Sequence, residues 1–244
     1  MKSVMILAGG KGTRISEYSE KIPKPMIPAV DKPILMHIVD IYRKYGKSNF
    51  VVLAGYKQEV ICEYFQNNYK KISTTENRYK LDKKAEITVL DTGPESMTGW
   101  RVKKGIEYLD EEEIHLTYGD GLANININKL EEFHKEYKPL ATVTAVRPPA
   151  RFGYLELNDQ NVTKFGEKDN SMEGWINGGF FIINKGVHSF LEDENEIFEK
   201  RPLEELSKKN KLNAYRHYGF WQHCDTIREL QILEKAIIDN KLES

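Results

Sequence analysis

The chain has little of what marks a secreted or membrane-bound protein. Its 244 residues include only two cysteines, Cys62 and Cys224, with no C-x-x-C pair. That scarcity argues against a disulfide framework or a cysteine zinc site and suits a reducing compartment. No apolar run approaches the length of a membrane helix, and the first one is too short for a secretion signal. We therefore expect a cytoplasmic protein with no membrane partner.

An excess of charge of one sign is missing as well. The 36 basic residues are balanced by 37 acidic ones, which gives a net charge of −1. Proteins that hold DNA or RNA usually carry a basic excess, so we expect no nucleic-acid partner. The hydrophobic share of 40% and the charged share of 30% are ordinary for a globular chain, and the length suits one domain.

What the sequence does have is a glycine-rich turn directly after a buried strand. The apolar residues 4–8 lead into Gly9, Gly10 and Gly12, and glycines let backbone N–H groups close around phosphate oxygens. Arg14 and Lys24 can neutralise phosphate charge. The spacing matches neither the Walker A loop nor G-x-G-x-x-G. The glycines alone therefore leave open a plain strand and turn with a basic tip.

Short apolar runs alternate with amphipathic stretches through the first 146 residues. This order predicts an α/β, Rossmann-like fold, in which a mostly parallel sheet has helices on both faces. The predicted strands are residues 4–8, 50–54, 87–91, 113–118 and 141–146. The predicted helices are residues 33–45, 57–69, 102–108 and 127–137. Residues 70–85 are polar and rich in lysine, and we predict a surface loop or a small excursion there.

From residue 147 the pattern predicts more β structure. Alternation in residues 154–157 and 162–165 predicts a hairpin. Residues 175–183 predict a strand that contains Gly178 and Gly179, and paired glycines in a strand mark a bulge or the close approach of a ligand. The remaining predicted elements are helices at residues 186–191, 202–209 and 226–240 and a strand at 212–218.

Asp120 is the acidic residue that the pattern singles out. It follows a predicted strand and lies between Gly119 and Gly121, where a fixed carboxylate with space beside it suits a metal ion. Asp-Gly is also common in plain turns, so both interpretations stay open. The polar stretch 92–101 follows another strand at the edge where α/β sheets bind ligands, and it too can be a plain connection.

Across residues 1–240 the sequence resembles the sugar-1-phosphate nucleotidylyltransferases, and most of all their glucose-1-phosphate cytidylyltransferase branch. The motifs that carry the resemblance are LAGGKGTRI, IPKPMIP, SMTG, YGDG, PPxRFG, INGGFF and GFWxxxDT. The resemblance implies a fold of the nucleotide-diphospho-sugar transferase type. It also implies an enzyme that joins a nucleoside triphosphate to a sugar phosphate and releases pyrophosphate. Trp100 stands where that branch has a glycine.

The resemblance implies a role for each matching residue. Arg14 and Lys24 would be catalytic, and Asp120 and Asp225 would hold Mg²⁺. The nucleotide-binding residues would be Leu7, Ala8, Gly9, Gly10, Gly12, Thr13, Ser96, Thr98, Gly99 and Gly119. The residues for the sugar phosphate would be Glu167, Lys168, Asn177, Gly178 and Gly179. The single domain 1–244 would then have a nucleotide-binding half (1–146) and a small, β-rich, sugar-phosphate-binding half (147–244).

The implied reaction converts CTP and α-D-glucose 1-phosphate to CDP-glucose and pyrophosphate, in a homo-oligomer that supplies bacterial surface-polysaccharide sugars. A phosphate monoester is largely ionised at neutral pH, so the reaction needs no general base. We interpret His223 and Cys224 as packing residues, since zinc would need more soft ligands at recognised spacing. Three alternatives stay open: another acceptor such as glycerol or polyol phosphate, UTP or dTTP as the donor, and a non-catalytic nucleotide-sugar sensor.

Overall fold

The computed structural model of the protein describes residues 3–12, 15, 21–148, 154–166 and 174–243. Two 3-10 turns, Lys24–Met26 and Lys185–Phe190, accompany the helices. The helices of the described residues are α1 (Ile34–Arg43), α2 (Gln58–Asn68), α3 (Thr98–Leu109), α4 (Ile127–Tyr137), α5 (Arg201–Lys208) and α6 (Ile227–Ile238). No helix among them is both long and apolar enough to cross a lipid bilayer.

Within the described ranges, the strands form one large sheet and three two-stranded ribbons. Those of the first 146 residues are β1 (Ser3–Ala8), β2 (Pro28–Ala29), β3 (Lys32–Pro33), β4 (Asn49–Ala54), β5 (Lys70–Lys71), β6 (Asn77–Lys80), β7 (Glu86–Asp91), β8 (Glu113–Tyr118), β9 (Gly121–Ala123) and β10 (Ala141–Val146). The later ones are β11 (Tyr154–Asn158), β12 (Asn161–Gly166), β13 (Ile176–Asn177), β14 (Phe181–Asn184), β15 (Leu212–Arg216) and β16 (Trp221–His223).

The large sheet has the order β13-β10-β14-β8-β1-β4-β7-β6-β5, and β15 adds to β10. Its centre, β8-β1-β4-β7, is parallel, whereas β14 and β6 flank that centre antiparallel. Crossover helices join the parallel strands, as parallel pairing requires. The predicted fold class, a mostly parallel sheet with helices on both faces, is confirmed.

The sheet has an apolar core on each face because its strands alternate with a period of two. In β1, Val4 and Ile6 belong to one core with α1, α2, α4 and α6. Met5 and Leu7 belong to the other core, with α3, α5 and the turn Lys185–Phe190. Both sets of β1 side chains are buried, and each buried aliphatic side chain contributes about 1.5–3 kcal/mol of transfer free energy.

Three local predictions need correction. Residues 70–85 are not wholly a loop, because β5 and β6 extend the sheet antiparallel to β7. Helix α3 begins at Thr98 and therefore includes the second part of the predicted polar loop. The predicted strand 175–183 is interrupted, since β13 pairs with the end of β10 and β14 with its beginning. Between them Gly179 and Phe180 have positive φ values of 74° and 48°.

Candidate active site

The glycine-rich turn lies at the carboxyl end of β1, the edge at which open α/β sheets bind ligands. Among the described residues, nothing lies within 4 Å of the place that a Cβ on Gly10 would take. Gly12 has a φ of +61°, a left-handed conformation that strains other residues. The turn borders a cleft of about 300 Å³. From this side the cleft is lined by Leu7, Ala8, Gly9, Gly10 and Gly12.

Arg101 holds this turn in place from the buried side. Its guanidinium donates to the carbonyl oxygens of Gly9 and Ala54, both at 3.0 Å, and of Gly93 at 2.8 Å. It also donates to the Thr92 hydroxyl at 2.6 Å. Because these acceptors end or follow β1, β4 and β7, one side chain ties three strand ends together. Burial lowers the pKa of Arg101, yet a guanidinium remains charged in proteins.

Lys24 lies at the centre of the site, on a turn that two prolines stiffen. Pro23 precedes the 3-10 turn and Pro25 lies within it; the proline ring fixes φ. Lys24 Nζ donates to Asp120 Oδ2 at 2.5 Å and to Asp225 Oδ1. Burial lowers the pKa of Lys24, but the two carboxylates outweigh burial and hold that pKa above its usual value. Lys24 is therefore a fixed cation at neutral pH.

Two short strands bring Asp120 and Asp225 together from distant parts of the chain. Asp120 lies between β8 and β9, and Asp225 follows β16. Strands β9 and β16 pair antiparallel with Gly121 opposite His223, and the Cys224 N–H donates to the Asp120 carbonyl oxygen at 2.9 Å. The Asp120 side chain is 31% exposed and that of Asp225 is 15% exposed. Both carboxylates therefore face the same point and remain accessible from solvent.

The residues at this point fit a divalent cation. The Asp120 and Asp225 carboxylates carry two negative charges against the one ammonium of Lys24, so the group has an excess of negative charge. Carboxylate oxygens are the ligands that Mg²⁺ takes in proteins. The contact of both carboxylates with Lys24 Nζ demonstrates that the pair can hold one positive group between them.

A second cleft, of about 340 Å³, adjoins the first. Tyr118 and Asp120 line both clefts. The other lining residues of the second cleft are Thr117, Gly121, Asn177, Gly178, Phe180, Trp221, His223 and Asp225. Two clefts that meet beside a pair of carboxylates and a lysine suit two anionic ligands that react with each other.

The wall of the second cleft is held by Asn177. Its Nδ2 donates to the Tyr118 hydroxyl at 2.8 Å, and its Oδ1 accepts from the Gly179 N–H at 2.9 Å. Trp221 Nε1 donates to the Gly178 carbonyl oxygen at 2.8 Å. Burial raises the pKa of Tyr118 far above its ordinary value, so its hydroxyl stays neutral. These contacts fix the backbone that interrupts the strand at the paired glycines.

The predicted site residues line the first cleft, line the second cleft, lie beside neither, or fall outside the described residues. Lys24, Ser96, Thr98, Gly119 and Asp120 line the first cleft with the glycine turn, and Asn177, Gly178 and Asp225 line the second. Gly99 packs elsewhere, since its N–H donates to the Glu196 carbonyl oxygen at 2.7 Å, and Gly179 shapes the backbone beside Asn177. Thr13, Arg14, Glu167 and Lys168 lie outside the described residues, so their roles stay predictions.

The interpretation of His223 as a packing residue needs correction. In β16 alternate residues point to opposite sides: Gln222 is buried, whereas Trp221 and His223 line the second cleft. Cys224, the next residue, is fully buried, and burial raises its pKa to about 12. His223 therefore faces the site, and Cys224 alone is a core residue. Side chains alternate between the two sides of a strand. In GFWQHCDT this alternation separates His223 from Cys224, but it can be applied only when the segment is known to contain a strand.

Sequence reasoning also missed Arg101 and Tyr118. Arg101 stood at the end of a polar stretch, and nothing local distinguishes a buried arginine from a surface one. Trp100, which marked a departure from the family pattern, lies beside the site on α3. It lines a surface depression with residues 91–96, and Lys103 Nζ and Lys104 Nζ lie 5.3 and 4.8 Å from its ring centroid.

Comparison with known proteins identifies the family. The model of the nucleotidyl transferase family matches residues 3–226. The glucose-1-phosphate cytidylyltransferase of Salmonella typhimurium is 42% identical over 244 aligned residues, which cover 96% of this chain and 95% of that protein. The probable glucose-1-phosphate cytidylyltransferase of Bacillus subtilis matches with the same identity and coverage.

A solved structure shares the fold at low sequence identity. It is a putative glucose-1-phosphate thymidylyltransferase from Bacillus anthracis, and it superimposes with a TM-score of 0.73 at 17% identity. The match covers 97% of this chain and 95% of that one. The resemblance that the motifs carried is thus confirmed, and the chain belongs to the nucleotidyl transferase family.

Proposed function

We propose that the protein transfers the cytidylyl group of CTP to α-D-glucose 1-phosphate, releasing pyrophosphate and CDP-glucose. The observation that carries this proposal is the meeting of two clefts at Lys24, Asp120 and Asp225. The choice of CTP and glucose 1-phosphate rests on the relatives at 42% identity, whose names give both substrates.

In this proposal the first cleft takes CTP. The glycine turn at the end of β1 offers backbone N–H groups to the triphosphate oxygens, with no side chain at Gly10 to keep them away. Ser96 and Thr98 border the same cleft and can contact the nucleoside. Arg14 and Thr13 follow the glycines in sequence, and we assign Arg14 to the leaving pyrophosphate.

The second cleft takes the sugar phosphate. Asn177 is held by Tyr118 and by the Gly179 N–H, which leaves its amide fixed at the wall, where it can bond sugar hydroxyls. We assign Glu167 to the sugar and Lys168 to its phosphate. The acceptor phosphate would then lie beside Asp120, the carboxylate that lines both clefts.

The chemistry is an in-line displacement at the α-phosphorus of CTP. An oxygen of the acceptor phosphate forms the new P–O bond, and the bond to the β-phosphate breaks, so pyrophosphate leaves. Lys24 stabilises the charge on the α-phosphoryl oxygens, because its ammonium is fixed and charged. Mg²⁺ held by Asp120 and Asp225 would offset repulsion between the two polyanions. The rate then comes from positioning and electrostatics.

Pyrophosphate release with Mg²⁺ tests the proposal. CTP, UTP, dTTP, ATP and GTP are each supplied with glucose 1-phosphate and with glycerol phosphate. We expect rapid pyrophosphate release only from the pair CTP and glucose 1-phosphate. Release with CTP and only glycerol phosphate would keep the transfer and refute the acceptor, and release with UTP or dTTP alone would refute the donor. No release with any pair would favour the sensor over an enzyme.

A further inference from the structure

Asp225 presents its two carboxylate oxygens to two different neighbours. Oδ1 accepts from Lys24 Nζ, on the side of Asp120. Oδ2 lies 3.7 Å from His223 Nε2, and Glu229 Oε1 lies 3.1 Å from the same nitrogen. One potential ligand atom from each of the three residues lies within 4.8 Å of the other two. A second group of potential ligands therefore adjoins the first and shares one carboxylate with it.

We propose that His223, Asp225 and Glu229 form a second divalent-cation site, which takes a transition-metal ion such as Mn²⁺, Co²⁺ or Zn²⁺. Ligands about 2.1 Å from such an ion stand roughly 3.0–3.5 Å apart in octahedral or tetrahedral geometry. The separations of 3.1 and 3.7 Å come close to that range. An imidazole nitrogen favours these ions over Mg²⁺, which prefers oxygen ligands.

Hydrogen bonds of β16 and α6 position the three ligand side chains without a bound ion. Strand β16 points His223 into the second cleft. Helix α6 begins at Ile227, and its N-cap Thr226, the residue after Asp225, accepts from the Glu229 N–H at 3.2 Å. Glu229 Oε2 in turn accepts from the Asp225 N–H at 2.9 Å. Because Glu229 is also buried, these bonds hold its Oε1 toward His223.

The charge of the group supports a cation rather than an anion. Two carboxylates surround one imidazole, and Lys24 lies on the far side of Asp225, at Oδ1. A carboxylate shared between two ions is a common arrangement in two-metal sites that transfer phosphoryl groups. The competing explanation is a simple hydrogen bond from His223 to Glu229, for which 3.1 Å is equally suitable. The experiment must therefore detect the nitrogen as a ligand.

Manganese binding to the full chain without nucleotide makes this test, so its result does not depend on the proposed reaction. Free Mn²⁺ is counted by electron paramagnetic resonance during a titration, and pulsed measurements detect ¹⁴N coupled to the bound ion. The variant is His223→Asn. The matched control is His188→Asn, because His188 Nε2 lies 3.0 Å from Glu107 Oε1 in a similar pair far from the site.

We expect two Mn²⁺ per chain and a directly coordinated ¹⁴N signal in the wild type and in His188→Asn. His223→Asn should lose that signal and weaken one of the two ions at least about tenfold. Asp120→Asn, which removes a ligand of the neighbouring position only, should retain the nitrogen signal. A wild type without ¹⁴N coupling, or a His223→Asn variant that binds two ions with unchanged affinity, overturns the proposal. Circular dichroism verifies that each variant is folded.

Discussion

Two charged clusters lie at opposite ends of β8 and are built from similar residues. Just past its carboxyl end, Asp120 joins Asp225 around Lys24. Near its amino end, His115 Nε2 donates to Glu131 Oε1 at 2.9 Å, and Lys47 Nζ donates to the same oxygen. We call these the cleft cluster and the buried cluster. Each contains a lysine that pairs with a carboxylate, yet they differ in exposure and in charge balance.

The buried cluster is closed and balanced. Its side chains are 0–12% exposed. Burial lowers the pKa of His115 by more than its bond to Glu131 raises it, so the imidazole is neutral at pH 7. Lys47 then matches Glu131 within the buried group, and Lys135, whose side chain is exposed, lies 3.9 Å from the other carboxylate oxygen. The cleft cluster instead has two carboxylates for one lysine and opens to solvent. The difference teaches that an accessible cluster with unequal numbers of positive and negative charges suits the binding of a charged ligand. A buried cluster in which the charges match instead joins α4 to the sheet.

The largest expected effect separates the two clusters by function. Asp225→Asn should lower kcat about a thousandfold or more, because it removes an anionic ligand at the point of reaction, while CTP affinity changes modestly. The free energy of unfolding should hardly change, since Lys24 retains Asp120. Steady-state pyrophosphate release and urea unfolding measure both quantities. Wild-type turnover in this variant would refute the role of Asp225.

The reverse experiment targets the buried cluster. Lys47→Met should lower the free energy of unfolding by about 3 kcal/mol, because it removes the buried ammonium from the Glu131 carboxylate and leaves only the exposed Lys135 ammonium, 3.9 Å away. Turnover of the folded protein should stay at the wild-type rate. Lys32→Met breaks the more exposed pair with Asp40 and should cost at most about 1 kcal/mol. Urea unfolding measures both variants, and equal losses would mean that burial does not make the Lys47–Glu131 pair more stabilising than an exposed pair.

The pH dependence of stability sharpens the same comparison. Burial raises the pKa of Glu131, but bonds from His115 and Lys47 outweigh burial and lower it to about 2. An unfolded glutamate has a pKa of about 4.3, so this stabilisation is complete above that pH and is lost as the pH falls toward 2, with an upper limit of about 3 kcal/mol. Wild-type stability should therefore fall more steeply below pH 4.5 than that of Glu131→Gln. Parallel curves would contradict the depressed pKa.

The sequence predicted the cleft cluster far better than the buried one. Lys24, Asp120 and Asp225 each stand in a motif that local chemistry or family resemblance marks. Lys47, His115 and Glu131 stand in ordinary helical or strand patterns, and only the packing of α4 on the sheet brings them together. Local patterns identify residues that need a special turn. They do not identify residues whose partners are set by tertiary packing.

The same limit explains which parts of the fold were predicted. Residues 113–118, 127–137 and 141–146 match β8, α4 and β10, because strong periodicity and clear ends define them. The pairing of β9 with β16 was not predictable, since each has only three residues. That pairing places His223 in the cleft, so a site residue was missed for a topological reason. The division into halves at residue 146 stays a prediction.

The smallest effect distinguishes two adjacent glycines at the edge of the cleft. A Cβ on Gly10 would meet open space, whereas one on Gly9 would lie 2.2 Å from the Arg101 guanidinium carbon. Gly10→Ala should leave stability unchanged and raise the KM for CTP about tenfold, because its methyl group enters the space for the triphosphate. Gly9→Ala should instead lower the melting temperature, since Arg101 must shift from its four acceptors. If Gly10→Ala melts early with an unchanged KM, the turn serves packing and not the nucleotide.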